Sequence, residues 1–300
     1  MTAAVIEVRN LTKSYGGVEA VKGIDLQVAR GEIFALLGPN GAGKTTTVEI
    51  LEGHRKRTGG EVSVLGFDPG RGGREYKEKI GIVLQETGVE PYLTVAEAID
   101  LFRGYYPDPR PVDEIVTLVG LEEKRDVRVS KLSGGQQRRL DVAIGLAGNP
   151  DLLFLDEPTT GFDPSARRQA WTIVKDLAKE GKTIFLTTHY MDEAQFLADR
   201  VAIIVGGQII AEGRPDTLTT KHLGATTVSF GLPDGVRLPP ALAATANSSG
   251  NLVELQTTEP LRTLHELTGW ALREGVDLQG LSVARASLEE VYLDLTGPSS

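Results

Sequence analysis

Cysteine is absent from the 300 residues of this sequence, which excludes disulfide bonds and thiolate metal sites. Long apolar runs are absent too: VAIIVGGQII at 201–210 falls well short of the ~20 residues that a membrane-spanning helix needs. The first ten residues, MTAAVIEVRN, have no basic lead before an apolar core, so we expect no signal peptide. These absences predict a cytosolic protein whose membrane role, if it has one, comes through another chain.

The sequence also lacks an excess of basic residues. It carries 32 lysines and arginines against 41 aspartates and glutamates, for a formal net charge of −9. Proteins that bind nucleic acid normally show a basic footprint, so we expect no nucleic-acid partner. The chain is 40% hydrophobic and 24% charged, which is ordinary for a globular protein, and it is long enough for one large domain or a large and a small one.

Short apolar runs recur along the first 220 residues. Four of them are continuous enough to be strands buried on both faces: EIFALLG (32–38), KIGIVLQ (79–85), DLLFLDEP (151–158) and KTIFLTTH (182–189). AVIEVRN (4–10) and IDLQVAR (24–30) alternate apolar and polar residues, as half-buried strands do. A helical segment, PSARRQAWTIVKDLAKEG, separates the last two buried strands, which favours a mainly parallel sheet with helices on its faces.

Two regions depart from this alternation. Residues 90–148 have helical spacing interrupted by PDPRP (107–111), which predicts an inserted helical subdomain. Residues 231–250 are rich in turn formers and predict a loop or linker. We therefore divide the chain into residues 1–220, an α/β domain with its helical insert, and residues 221–300, a small acidic α+β appendage.

The segment GPNGAGKTT at 38–46 matches the phosphate-binding loop pattern G-x-x-x-x-G-K-[ST]. Its glycines let the backbone N–H groups face the phosphates, Lys44 supplies positive charge, and the Thr45 hydroxyl can bind Mg²⁺. A buried strand precedes the pattern and a helix follows it, as the mechanism requires. We expect ATP to contact the whole loop: Gly38, Pro39, Asn40, Gly41, Ala42, Gly43, Lys44, Thr45 and Thr46.

Other polar residues stand at predicted strand ends. Asp156 and Glu157 close the run LLFL, at the sheet edge where ligands of α/β proteins gather. Asp156 there would orient Mg²⁺, and Glu157 would polarise the attacking water. Gln85 and His189 end two further strands, but each alone is also simply a polar residue that ends a strand. Tyr15, in LTKSYGG, is either a turn tyrosine or a surface on which a purine stacks.

LSGGQQ at 132–137 is a second turn suited to an anion, because a Ser-Gly-Gly turn that opens a helix leaves backbone N–H groups unpaired. It has no lysine corresponding to Lys44. The residues concerned are Ser133, Gly134, Gly135 and Gln136.

These elements, in this order, resemble the ATP-binding cassette (ABC) ATPase family over about residues 4–220. Seven elements carry the resemblance: Tyr15, the phosphate loop, Gln85, LSGGQQ, LLFLDEP, GFD (161–163) and His189. It implies a P-loop NTPase core, ATP and Mg²⁺ as cofactors, and Tyr15 against the adenine. It also implies that Glu157 is the catalytic base, that His189 contacts the γ-phosphate, and that Gln85 senses Mg²⁺ and the water.

The resemblance also implies a reason for the second turn. Two cassettes of this family pack head to tail, and the LSGGQQ turn of one chain closes on the nucleotide that the other chain holds. Asp163 would lie at the same interface, where Phe162 replaces the usual leucine. The partner would be a second copy or a homologous cassette, under a separate integral-membrane permease. A narrower resemblance is to exporter cassettes of the daunorubicin-resistance class. It is carried by RKRTGGEVSVLGFDP (55–69), TTGFDPSARR and SLEEVYLDLTG.

The alternative is an ABC ATPase that moves no solute and acts in translation or DNA maintenance. Such proteins usually carry two cassettes or a long coiled coil. This chain has one phosphate loop, no sustained heptads and an acidic balance, so transport is the preferred interpretation.

Overall fold

The computed structural model describes residues 4–83, 88–223, 226–233, 235–244, 246–285 and 287–296. The chain divides into two compact units, Met1–Arg214 and Pro215–Ser300. No helix among the described residues is long and apolar enough to cross a membrane.

A six-stranded sheet forms the centre of the first unit. Its order is β5-β6-β7-β3-β8-β9, and all neighbouring pairs are parallel except β8 with β9. The four apolar runs predicted β3, β5, β6 and β7 correctly, whereas β8 and β9 were not predicted, and every residue of β3 and β7 is buried. The α/β fold with a mainly parallel sheet is thereby confirmed. The strands are β3 Ile33–Leu37, β5 Ile80–Val83, β6 Leu152–Asp156, β7 Thr183–Thr188, β8 Arg200–Val205 and β9 Gln208–Gly213.

A separate antiparallel sheet with the order β2-β1-β4 packs its apolar side chains into the same core. Its strands are β1 Ala4–Tyr15, β2 Val18–Ala29 and β4 Gly59–Val64. The first two are longer than the alternating segments predicted, because Gly16 and Gly17 take positive φ angles of 54° and 97° and form a two-residue hairpin. Such a turn matches the twist of the flanking strands, so pairing extends up to the turn.

Helices cover the central sheet and form the segment between β5 and β6. Within residues 88–148 the structure has helices and turns and no named strand, and α3, α4 and α5 contact one another. A Thr94–Glu97 capping box begins α3. The helices are α1 Lys44–Leu51, α2 Arg74–Lys79, α3 Val95–Arg103, α4 Val112–Leu118, α5 Gly134–Gly145, α6 Pro164–Lys179 and α7 Met191–Leu197, with 3₁₀ turns at Pro69–Arg71, Glu122–Lys124 and Val129–Lys131.

The second unit is an antiparallel sheet with the order β11-β12-β10-β13, and α10 packs on it through Leu267, Trp270 and Ala271. The prediction of a loop over 231–250 is wrong in part, since α9 and β11 lie within it. The four residues of β11 carry no strand pattern and are ordered by pairing with β12. The elements are α8 Pro215–Leu223, β10 Thr226–Gly231, α9 Pro240–Ala243, β11 Ala246–Ser249, β12 Leu252–Thr257, α10 Pro260–Glu274, β13 Gln279–Arg285 and α11 Leu288–Thr296.

Candidate functional site

The candidate site lies at the carboxyl edge of the central sheet. In the parallel register Leu37 pairs with Thr188, and Asp156 pairs with Thr187. The phosphate loop, Glu157 and His189 therefore follow strand positions that are side by side. The predicted strand ends place these residues at one edge, and the register brings them there.

The phosphate loop depends on glycine for its shape. A Cβ on Gly38 would lie 2.2 Å from the Ile204 carbonyl oxygen, so no larger residue fits. Gly43 has φ +106°, and its Cβ would lie 2.6 Å from the Ala20 carbonyl oxygen. Gly43 precedes α1, and no side chain caps that helix. The first N–H groups of α1 are therefore left for an anion, and no acidic residue lies in its first turn.

Lys44 is the cation of this loop and is only 5% exposed. Its Nζ donates hydrogen bonds to the carbonyl oxygens of Gly38 at 2.8 Å and Pro39 at 3.2 Å, and lies 3.6 Å from Oε1 of Glu157. Burial lowers the pKa of Lys44, while the charges of Glu157 and Asp156 oppose that shift. A buried ammonium beside the start of a helix that no side chain caps fits a polyphosphate.

Glu157 lies between two cationic or ionisable groups. Its Oε1 is 3.6 Å from Nζ of Lys44 and 3.2 Å from Nδ1 of His189, while its Oε2 accepts a hydrogen bond from Thr160 Oγ1 at 3.2 Å. Nδ1 of His189 is buried and makes no hydrogen bond to the described residues, so its relation to Glu157 is one of proximity. The arrangement can hold a carboxylate beside a phosphate and a water.

Mg²⁺ fits the oxygen donors of this edge. The Thr45 side chain is exposed at the start of α1, and Asp156 accepts a hydrogen bond from Thr187 Oγ1. No group of three or more His, Asp or Glu residues able to hold a metal occurs in the part of the chain that the structure describes. Mg²⁺ usually takes one or two protein oxygens and completes its shell with phosphates and water, so this sparse donor set suits it. Glu52 follows α1. Burial, with the charge of Asp156, raises the pKa of Glu52 to about 8, so this carboxyl adds little negative charge beside Asp156 near neutral pH.

The predicted roles of Tyr15 and Gln85 both stay untested, for different reasons. Tyr15 ends β1 and is 38% exposed, and Lys13 Nζ and the Arg55 guanidinium lie 4.7 and 5.2 Å from its ring centroid. An exposed ring is available to a base, and its role stays a prediction. Gln85 lies outside the described residues, so its predicted role is likewise untested.

The LSGGQQ turn begins α5. Ser133 Oγ accepts from the Gln136 N–H, and Gln136 Oε1 accepts from the Ser133 N–H, which makes a capping box. Both Ser133 and Gly134 are exposed, and a Cβ on Gly134 would meet nothing within 4 Å. Asp163 caps α6 by accepting from the N–H groups of Ser165 and Ala166, a local role that sequence analysis did not predict.

A cleft of about 940 Å³ connects this turn with Glu157 and the 160–163 segment. Its lining includes Ser133, Gly134, Gly135, Gln136 and Asp163, but no residue of the phosphate loop. The second turn and the phosphate loop therefore do not share this cleft.

Two buried charged residues near the site were not predicted from the sequence, Arg138 on α5 and Glu193 on α7. Arg138 donates to the carbonyl oxygens of Asp156 and Pro158, and Glu193 accepts from Thr159 Oγ1 and Trp171 Nε1. A charged residue on a helix ordinarily indicates a solvent-exposed face. The sequence does not show that α5 packs against residues 156–159, which is why these two residues could not be predicted.

The chain matches known protein families and proteins over most of its length. A family model described as ABC transporter matches residues 21–160, and one described as ABC transporter domain-containing protein-like, C-terminal domain, matches residues 226–287. The chain is 38% identical over 305 residues to the Nod factor export ATP-binding protein I of Paraburkholderia xenovorans (strain LB400), an alignment that covers 99% of this chain and 98% of that protein.

Two solved structures resemble the chain. One is the ATP-binding cassette MJ0796 in a dimeric post-hydrolysis state bound to ADP and Pi, with a TM-score of 0.63, 28% identity, and coverage of 70% of this chain and 98% of that one. The other is cbiO1 from Clostridium perfringens, part of the ABC transporter complex cbiONQ, with a TM-score of 0.66, 30% identity, and coverage of 73% and 91%.

Proposed function

The chain belongs to the ABC transporter ATP-binding family, and from that membership we propose that it works as one half of an ATP-sandwich dimer that drives export through a separate permease. It is an ATP-hydrolysing nucleotide-binding subunit of an ABC transporter. The observation that carries the proposed dimer is that one chain has two anion-binding turns, and the cleft lined by the LSGGQQ turn contains no residue of the phosphate loop. The interpretation as a non-transport ATPase is set aside, because relatives over the full length are export ATPases.

The two turns complement each other in chemistry. The phosphate loop has a buried lysine, and the LSGGQQ turn has exposed Ser133 and Gly134 at the start of α5 and no lysine corresponding to Lys44. A second chain that brought its LSGGQQ turn to the nucleotide would add backbone donors where Lys44 already supplies charge. MJ0796, a related cassette, is dimeric in its post-hydrolysis state. Ser133, Gly134, Gly135, Gln136 and Asp163 are therefore proposed to contact nucleotide held by the partner.

In the proposed reaction the phosphate loop and Lys44 bind the β- and γ-phosphates, and Tyr15 stacks on the adenine. Glu157 accepts a proton from the attacking water as general base. His189 would contact the γ-phosphate, a role supported by the 3.2 Å between its Nδ1 and the Glu157 carboxylate. Thr45 and Asp156, with Gln85, would hold Mg²⁺, which neutralises charge on the phosphates when bound.

Export is the proposed direction. Relatives aligned over nearly the whole chain are named for Nod factor export, and the sequence resembles the daunorubicin-resistance class in its 55–69, 159–168 and C-terminal segments. Both are export systems, so the two resemblances agree on direction and differ on cargo. We propose a drug or other solute as cargo, selected by the permease. The subunit would then lie on the cytoplasmic face of the membrane, bound to that permease.

Mixing two inactive variants tests the composite site. Ser133→Arg disrupts the LSGGQQ turn and leaves the phosphate loop intact. Lys44→Ala disrupts the phosphate loop and leaves the LSGGQQ turn intact. Each variant alone should hydrolyse ATP at a few per cent of the wild-type rate or less, since every site then has a spoiled half. A 1:1 mixture contains heterodimers with one intact site, so turnover should recover to roughly a quarter of wild type.

The control mixture pairs Lys44→Ala with the double variant Lys44→Ala/Ser133→Arg, in which no intact site can form. It should stay inactive. If the first mixture shows only the sum of the two separate activities, the two turns do not complete each other across chains.

A further inference from the structure

Arg138 is a buried arginine on the helix that LSGGQQ begins. Its Nε donates to the Pro158 carbonyl oxygen at 3.1 Å, and its Nη2 donates to the Asp156 carbonyl oxygen at 3.2 Å. These carbonyl groups belong to the residues on either side of Glu157. One rigid guanidinium therefore holds the backbone before and after the residue proposed as general base.

The backbone at Glu157 needs such support. Glu157 has φ +46°, one of four positive φ angles among the described non-glycine residues. A non-glycine residue keeps this conformation only where its surroundings impose it. On the opposite side, the Glu157 N–H donates to the Thr187 carbonyl oxygen at 3.1 Å. Arg138 and Thr187 thus restrain the segment from two elements, α5 and β7.

The charge of Arg138 is balanced within the fold. Its Nη1 lies 3.6 Å from Oδ2 of Asp141, and it interacts electrostatically with Glu193. Glu193 is fully buried, and its Oε1 accepts from Thr159 Oγ1 at 2.8 Å and from Trp171 Nε1 at 3.0 Å. Thr159 follows Pro158, so this carboxylate holds the segment just beyond the peptide that Arg138 binds.

We propose that Arg138 is a positioning residue for ATP hydrolysis: it fixes the backbone around Glu157 and so aims the carboxylate at the attacking water. The inference rests on the proposed role of Glu157 as general base. Because Arg138 lies five residues after Ser133 on the same chain segment, it also ties the base to the turn that is proposed to contact the partner's nucleotide. Arg138 need not touch ATP to act in this way.

Substituting Arg138 should affect the chemical step and spare binding. Arg138→Lys keeps the charge but replaces the two separate donor nitrogens, Nε and Nη2, by a single one, and Arg138→Met removes both of these hydrogen bonds. Misplacing a catalytic group by about 1 Å can cost about 100-fold, so we expect kcat to fall about 10-fold for Arg138→Lys and about 100-fold for Arg138→Met. The KM for ATP should change less than about 3-fold.

Arg139→Met is the matched control. The neighbouring Arg139 donates to the Gly120 carbonyl oxygen and to Gln169 and makes no hydrogen bond to the Glu157 segment that the structure describes. Its kcat should stay within about 3-fold of wild type. Circular dichroism and thermal unfolding of each variant separate loss of folding from loss of positioning, and Arg138→Lys alone decides the result if Arg138→Met does not fold.

The decisive measurement is single-turnover hydrolysis in a double-mutant cycle with Glu157→Gln. If Arg138 acts through Glu157, then Glu157→Gln/Arg138→Lys should hydrolyse ATP as fast as Glu157→Gln alone. A further 10-fold loss in the double variant, or wild-type kcat in Arg138→Lys, would overturn the positioning role. Wild-type turnover in Glu157→Gln alone would instead refute the proposed base, so the two failures are distinguishable.

Discussion

Replacing Glu157 by glutamine is expected to lower kcat for ATP hydrolysis by about 10²- to 10⁴-fold, the usual contribution of a general base. The amide has nearly the same shape as the carboxylate but cannot accept the proton of the attacking water. ATP affinity should change little, because Lys44 keeps its hydrogen bonds to the Gly38 and Pro39 carbonyl oxygens and loses only the 3.6 Å contact with the carboxylate.

Steady-state phosphate release and a fluorescent-nucleotide titration measure the two quantities separately. Glu123→Gln, an exposed residue of a 3₁₀ turn, is the matched control and should behave as wild type. Turnover of Glu157→Gln within about 3-fold of wild type would show that this carboxylate is not the base.

The second large effect is expected at Lys44. Lys44→Ala removes the buried ammonium of the phosphate loop and should weaken ATP binding by about 100-fold or more, since hydrogen bonds from a charged donor contribute about 1.5–3 kcal/mol each. Hydrolysis should fall with binding. Lys44→Arg should not restore affinity, because a larger planar group must fit where Lys44 is 5% exposed.

Calorimetric titration with ATP measures this loss. Lys179→Ala provides the matched control, because that lysine is exposed on α6 and pairs with Asp176. Unchanged ATP affinity in Lys44→Ala would show that Lys44 of the phosphate loop does not bind ATP.

The parts of the fold that the sequence predicted are those determined locally. Residues 33–37 and 183–188 read as buried strands because every side chain there is buried on both faces of the sheet. The phosphate loop is predictable because its glycines satisfy steric demands that no other residue meets. The β11 strand was not predictable, since its order comes from pairing with β12 rather than from its own four residues.

The same distinction applies to the site. His189 was ambiguous as a residue at the end of one strand, and only the pairing of β6 with β7 brings it to 3.2 Å from Glu157. Arg138 is 19 positions before Glu157 in sequence, and its contact with the segment depends on how α5 packs. A charged residue on a helix carries no such information in the sequence alone.

The most direct test of the composite site is the mass of Glu157→Gln in solution, measured by light scattering with and without Mg-ATP. Blocked hydrolysis should trap the closed state, so we predict a monomer without nucleotide and a doubling of mass with Mg-ATP. Adding Ser133→Arg to this variant should abolish the doubling, because the LSGGQQ turn would no longer reach the partner's nucleotide. A mass that does not respond to Mg-ATP, or a doubling that survives Ser133→Arg, would contradict the account.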